Sequence, residues 1–221
     1  MVSDWAAHFE RERGRYEDGD ARLPGLGEPD DRQRQLTRMG NAAAGAGLAL
    51  LMAGRRDEAA DWFARAAERY RESFVGAPPG SWGRPIGAVK ARLLAGDWAA
   101  AQRDARWTLD EEAAGSDSPV GRYAGCLALL VHDDDDAAGH LAASLQGRDD
   151  FPDDVARALA SIAARDEAEY RPAVGDVLRS FETRDEYLED IPVADTVVVL
   201  QALATRRGLI AELESSLLPR T

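Results

Sequence analysis

LLMAGRRDEAADWFARA (residues 50–66) and RLLAGDWAAAQRDARWT (residues 92–108) have the same organisation. Each ends an apolar helical run, passes through Ala-Gly and a short polar turn, and opens a second amphipathic stretch with alanines at fixed offsets. A glycine just past the last apolar turn supplies the left-handed conformation that closes a helix. A connection this short forces the two helices antiparallel. One helical hairpin is therefore used twice, and repeated hairpins point to an all-α chain that stacks its units into a scaffold.

The same Gly and Pro punctuation divides the rest of the chain. Residues 3–16 read as a first helix, followed by a Gly/Pro/Asp-rich loop to about 29. Residues 30–53 pair with 57–74, 84–95 with 98–113, 119–131 with 135–146, and 152–164 with 166–183. A helix at 192–207 and a short apolar tail close the chain. VADTVVVLQAL (193–203) is strand-like in composition, but it runs into ATRRG, where Arg206, Arg207 and Gly208 form a helix stop. The expectation is one helical-repeat domain over 1–221. Residues 1–29 form an N-terminal helix and loop, 30–183 four hairpins, and 184–221 a capping helix and tail.

Gly47, Gly54, Ala59, Phe63 and Ala66 sit at the offsets of the tetratricopeptide repeat, which the first hairpin resembles. In that pattern small residues let two helices approach backbone to backbone, and the aromatic, here Phe63, fills the gap to the next pair. The second hairpin keeps Gly96 and Ala101 but has Ala105 where the aromatic belongs. The third has Asp133 in place of the turn glycine and keeps Ala138; the fourth, around Arg165 and Tyr170, departs furthest. Turn-to-turn spacings fall from 42 to 37 to 32 residues, so the array is degenerate. The resemblance implies an all-α, tetratricopeptide-like array of antiparallel hairpins, a right-handed superhelix with a concave face lined by the first helix of each pair.

From PPGSWGRP (78–85) through LLAGDWAAAQRDAR, ALASIAARDEAEYRPAVGDVL and IPVADTVVVLQALATRRGL to the terminal SSLLP, the chain also resembles the Immunity protein 49 family. These are helical proteins of bacterial polymorphic-toxin systems. That resemblance implies neutralisation of a cognate toxin by direct binding; it leaves the N-terminal third unaccounted for.

Charge narrows the partner classes. The chain has 40 acidic and 27 basic residues, a net charge of −13, and Lys90 as its only lysine. Short carboxylates without lysine stems suit a salt-loving organism; a GC-rich genome is the other source of the bias. Either way, an acidic surface repels phosphate backbones and argues against nucleic-acid binding. No apolar run reaches membrane-spanning length, and the start lacks a signal-peptide stretch, so the cytoplasm is the expected location. Cys126, the only cysteine, lies in the apolar run YAGCLALLV and reads as a small core residue.

Reactive constellations are few. His132, Asp133–Asp136 and His140 offer a two-ligand edge, since Asp136 and His140 are four apart on a helix. The plainer account is that these acids crowd a helix start, where the macrodipole favours them. No phosphate loop, nucleophile elbow, dinucleotide fingerprint or zinc-binding helix motif is present. The expectation is a non-enzymatic protein without cofactor or metal, a protein-binding scaffold or adaptor. The immunity protein is the alternative, and a metal-dependent helical hydrolase the distant one.

Candidate contact residues follow from the repeat alignment. Asn41, Leu48, Leu51 and Met52 would line the groove from the first pair, Ile86 and Lys90 from the second, and Tyr123 and Leu127 from the third. Plain core contact is the competing account for the apolar ones. Lys90 would meet a partner's carboxylate, although the multi-residue carboxylate clamp of tetratricopeptide proteins is not reproduced. The five tryptophans are expected mostly in the core. Trp82 is the exception: beside Arg84 in a rigid loop it has the composition of an interface hot spot, or else plugs the end of the core. Self-association through a broad helical face remains open.

Overall fold

The computed structural model describes residues 4–220, in which ten α-helices and no β-strand occur. The helices are α1 (Trp5–Arg22), α2 (Pro29–Met52), α3 (Arg56–Phe74), α4 (Gly83–Leu94), α5 (Trp98–Asp110), α6 (Pro119–Val131), α7 (Asp135–Leu145), α8 (Asp153–Ala164), α9 (Glu167–Glu182) and α10 (Asp195–Thr205). The strand-like segment after Pro192 is helical and ends at Gly208, whose φ is +76°. None of these helices is long and apolar enough to cross a membrane.

The described residues form two compact units. The first holds the chain up to Asp97, the excursion Asp185–Val193 and the tail from Ser216. In it α1 packs on α2, α2 on α3 and α3 on α4. The second holds Trp98–Arg184 and Ala194–Ser215. There α5 packs on α6, α6 on α7, α7 on α8 and α8 on α9, with α10 against α8 and α9. The sequence pairs α4 with α5 in a hairpin. Both helices form, one in each unit; within its own unit α4 packs with α3, and α5 with α6.

The repeat signal resolves into one backbone device. Gly54, Gly96, Asp133 and Arg165 all sit in the left-handed region, with φ of 76°, 72°, 60° and 54°. At each turn the residue itself donates its N–H to the carbonyl three back, and the next residue donates to the carbonyl five back. Gly54 bonds Leu51 and Arg55 bonds Leu50; Asp133 bonds Leu130 and Asp134 bonds Leu129. Gly96 with Asp97 and Arg165 with Asp166 do the same, as does Gly208 with Leu209 after α10. These paired bonds satisfy carbonyls that a helix end would otherwise orphan. The non-glycine turns keep the geometry despite the side-chain clash it entails.

Close packing explains α2. A Cβ on Gly47 would stand 2.7 Å from the Phe63 ring, and one on Gly40 or Gly87 would stand 2.9 or 2.7 Å from the Tyr70 ring. Phe63, Ala59 and Ala66 are fully or almost fully buried. The Tyr70 ring thus lies between α2 and α4, close over Gly40 and Gly87.

Two expectations are corrected. The first helix does not stop at residue 16 but runs to Arg22, through Gly14 and Gly19. Gly19 is where α1 closes on α2, since a Cβ there would meet Gln35 and Met39 at 2.6 Å. Arg69 of α3 holds the last turns by donating to Tyr16 Oη at 3.1 Å and Asp20 at 3.0 Å. Tertiary contact outweighs two weak helix formers. Of the five tryptophans only Trp62 is buried; Trp5, Trp82, Trp98 and Trp107 are half-buried. Trp5 and Trp98 open their helices and Trp82 precedes α4, so these rings cover helix starts instead of filling the core.

Candidate functional site

The connection between α3 and α4 is built from residues that hold a rigid, partly apolar corner in the first unit. α3 ends at Phe74, Ala77 N–H bonds back to the Phe74 carbonyl at 3.0 Å, and Gly80 turns the chain with a φ of +79°. The Ser81 hydroxyl donates to the Pro78 carbonyl at 2.6 Å, and Trp82 N–H to the Gly80 carbonyl at 2.8 Å. The Trp82 and Phe74 rings then lie 6.4 Å apart at 38°, tying the two helix ends together. Val75, between them in sequence, is 90% exposed.

Arg84, in the first turn of α4, reaches inward. Its Nε donates to Ser73 Oγ at 3.1 Å and Thr37 Oγ1 at 3.2 Å, and its Nη2 to Gln33 Oε1. Ser73 and Gln33 are buried, so the guanidinium is cradled by neutral groups from α2 and α3. No described carboxylate pairs with it, and burial, unopposed, pushes its pKa down. Arg15 and Arg69, which have carboxylate partners, move the other way. Among the described residues Arg84 Nη1 has no hydrogen-bond partner. α4 begins without an acidic residue in its first turn and without a side-chain cap.

The other sequence-derived candidates have structural neighbours of their own. Asn41 is half-buried, accepting from Tyr70 Oη at 2.9 Å and donating to Glu189 Oε1 at 3.1 Å. Glu189 also accepts from Arg15, which bonds the wholly buried Glu12 at 2.9 Å, and Arg11 bonds Glu12 at 2.7 Å. Met52 is half-buried at the end of α2. Lys90 is half-buried on α4 and is not a free cation. Leu48, Leu51 and Leu127 are core residues. Tyr123 belongs to the second unit and packs its ring 5.5 Å from Phe151. Of the candidate contact residues, the structure brings Trp82 and Arg84 to one corner, and Asn41 belongs to the Glu12–Glu189 network.

The acid run after α6 is taken up by arginines. Asp135 Oδ1 accepts from Arg207 Nε at 2.8 Å and its other oxygen from Arg165 at 2.9 Å, while Asp133 pairs with Arg206 at 3.1 Å. The hydrogen bond from Arg206 holds the Asp133 carboxyl below its usual range. His140 bonds its own turn, Nδ1 to the Asp136 carbonyl at 2.8 Å, and His132 Nε2 is buried without a partner. No group of three or more His, Cys, Asp or Glu side chains among the described residues is placed to hold a metal ion. Cys126 is buried in the core, and desolvation pushes its thiol up to about 12, which disfavours the thiolate.

Val75 and Phe74 are the corner residues that sequence reading passed over. Val75 follows the last helical residue of α3 and precedes Gly76, off the buried stripe of Ala66, Ala67, Tyr70 and Ser73. That offset, next to a Pro-Pro loop, was the available signal. No protein-family model, no curated protein and no solved structure matches this chain. The tetratricopeptide and Immunity protein 49 resemblances therefore gain no support from a relative.

Proposed function

We propose that this protein is a non-catalytic, cytoplasmic protein-binding scaffold of the tetratricopeptide-like kind, and that it docks its partner at the α3–α4 corner. The observation that carries this reading is Val75: a branched apolar side chain 90% exposed beside the Phe74–Trp82 ring pair. Burying it against a partner is worth about 2 kcal/mol. The loop that presents it is already fixed by its own hydrogen bonds, so little ordering entropy is lost on docking. Half-buried aromatics and an arginine are the side chains that most often anchor interfaces. The tetratricopeptide-like assignment rests on the Gly47–Phe63 approach and on the recurring turn geometry.

The test places a photo-crosslinking amino acid at position 75 in producing cells, with Asp18 on α1, also exposed, as the control position. A discrete heavier adduct from position 75, absent from position 18 and lost on Trp82→Ala, is expected. Equal labelling at both positions, or none, would overturn the reading.

A further inference from the structure

We infer that Arg11 and Arg15 of α1 and Asn41 of α2 form a carboxylate-binding site for an acidic segment of a partner protein, and that the chain's own residues 185–190 keep it closed. This goes beyond the docking reading above and uses different residues of the first unit. The site is built from beneath. Glu12 is wholly buried over Gly45 of α2, where an added Cβ would stand 3.0 Å from Glu12 Cγ. It fixes both arginines, accepting from Arg11 Nε at 2.7 Å and from Arg15 Nη1 at 2.9 Å. Tyr70 Oη donates to Asn41 Oδ1 at 2.9 Å, which commits the Asn41 oxygen and leaves its amide N–H groups to donate. Two guanidiniums over one buried carboxylate carry an uncompensated positive charge, and a second carboxylate completes the set through charge-assisted bonds. Glu189 is that carboxylate. Its side chain accepts from Asn41 Nδ2 at 3.1 Å and from Arg15, and its carbonyl accepts from Arg11.

This occupant holds its place under strain. Glu189 and Asp190 are consecutive non-glycine residues in the left-handed region, with φ of 55° and 53°, where a Cβ crowds the carbonyl. Asp185, Glu186 and Asp190 are exposed, and Ile191, which is buried, lies outside the segment. A partner's glutamate on relaxed extended backbone makes the same bonds without the strain. The segment of a second copy would carry the same strain and gain nothing by exchange, so the occupant that displaces Glu189 is a different protein. Being tethered, residues 185–190 compete at the high effective concentration of a short connection. An acidic segment in trans therefore binds the closed protein weakly and the opened one tightly.

The experiment titrates a fluorescent peptide copying residues 185–190, DEYLED, and a version with lysine in place of its second glutamate, against the full chain. The proteins are wild type, Glu189→Lys, Glu189→Lys with Arg15→Gln, and Glu186→Lys as the charge-matched control on an exposed side chain. Circular dichroism and light scattering accompany each titration. Glu189→Lys sets a third cation against Arg11 and Arg15 and ejects the segment. It should keep the wild-type helical signal and bind the peptide at least tenfold more tightly than wild type. Adding Arg15→Gln, or the lysine in the peptide, should remove that gain, and Glu186→Lys should bind as wild type does. Equal binding by wild type and Glu189→Lys would overturn the inference, as would an equal gain from Glu186→Lys, which is bulk charge alone. A gain that survives Arg15→Gln would place the peptide elsewhere. Loss of the helical signal in Glu189→Lys would make the segment a fixed part of the fold, and a wild-type dimer that Glu189→Lys dissociates would give the site to a second copy; each of these overturns it too.

Discussion

The ring of Phe63 lies so close over Gly47 that a Cβ on the glycine would stand 2.7 Å from Cδ1 and Cε1. Phe63 is fully buried, so it has no room to withdraw. The first hairpin is therefore set by a missing side chain as much as by those present. Gly47→Ala gains helix propensity of about 1 kcal/mol but meets a ring that cannot give way, with a net loss of about 1–2 kcal/mol. Gly175→Ala, in α9 with nothing within 4 Å of the new methyl, gains about 0.5–1 kcal/mol. Urea midpoints of the two variants should move in opposite directions; the same direction for both would refute this account of α2 and α3.

The left-handed turns predict a second contrast. Arg165 adopts a φ of 54°, a conformation that costs a residue bearing a Cβ about 1 kcal/mol relative to glycine. Its ion pair to Asp135 is made by a side chain 61% exposed and contributes little. Arg165→Gly should raise the unfolding free energy by about 0.5–1 kcal/mol, and Gly54→Ala should lower it by a similar amount. A destabilised Arg165→Gly would mean that the salt bridge outweighs the backbone.

In the second unit, Arg207 and Arg206 are neighbours with unequal consequences. The Arg207 side chain is 1% exposed and donates to the Leu130 carbonyl at 2.7 Å as well as to Asp135. Replacing it with Met removes one of two arginines from the mostly buried Asp135, which keeps Arg165, and one of two donors from the Leu130 carbonyl, which keeps the Asp133 N–H, a loss of about 2 kcal/mol. Arg206, 38% exposed, should lose less than about 1 kcal/mol on the same change. Because arginines occupy Asp133 and Asp135, EDTA or added divalent cations should leave the melting temperature unchanged; a shift of several degrees would revive the metal-dependent hydrolase.

Cys126 predicts an alkaline limit. Its thiol is raised to about 12 in the fold against an ordinary 9.0. The native state therefore holds a proton that the unfolded chain releases once pH exceeds 9. Stability is fully present below pH 9 and falls between 9 and 12, by up to about 1.4 kcal/mol per pH unit for this group. Tyr170, also raised by burial, acts in the same direction. Cys126→Ala should flatten the slope of unfolding free energy between pH 9 and 10.5, and native Cys126 should resist alkylation at pH 8. Rapid native-state labelling would contradict both.

Much of this architecture was legible because it is written locally. Gly54 and Gly96 announce their turns in composition, and Asp133 and Arg165 were locatable by their position between two periodic runs. The extent of α1 was not, because Gly14 and Gly19 look like breakers until α2 and α3 are packed against them. Trp82 and Arg84 stood together in sequence, so half of the candidate corner could be read directly. Ser73, Thr37 and Gln33 come from other helices, and no spacing rule links them to Arg84. Nor does any local pattern connect Asn41 to Glu189, which are 148 residues apart.

That last separation bears on how the chain is made. Arg15 is made 174 residues before its partner Glu189, and Leu217 and Leu218, buried in the same unit, follow later still. The early helices of the first unit therefore wait, incompletely covered, until these later segments have been made. A chain stopped at residue 184 would leave the buried Glu12 with its arginines but strip Arg15 and Asn41 of their distant carboxylate, and its early helices should exchange amide protons faster than those of the chain running on through residue 220.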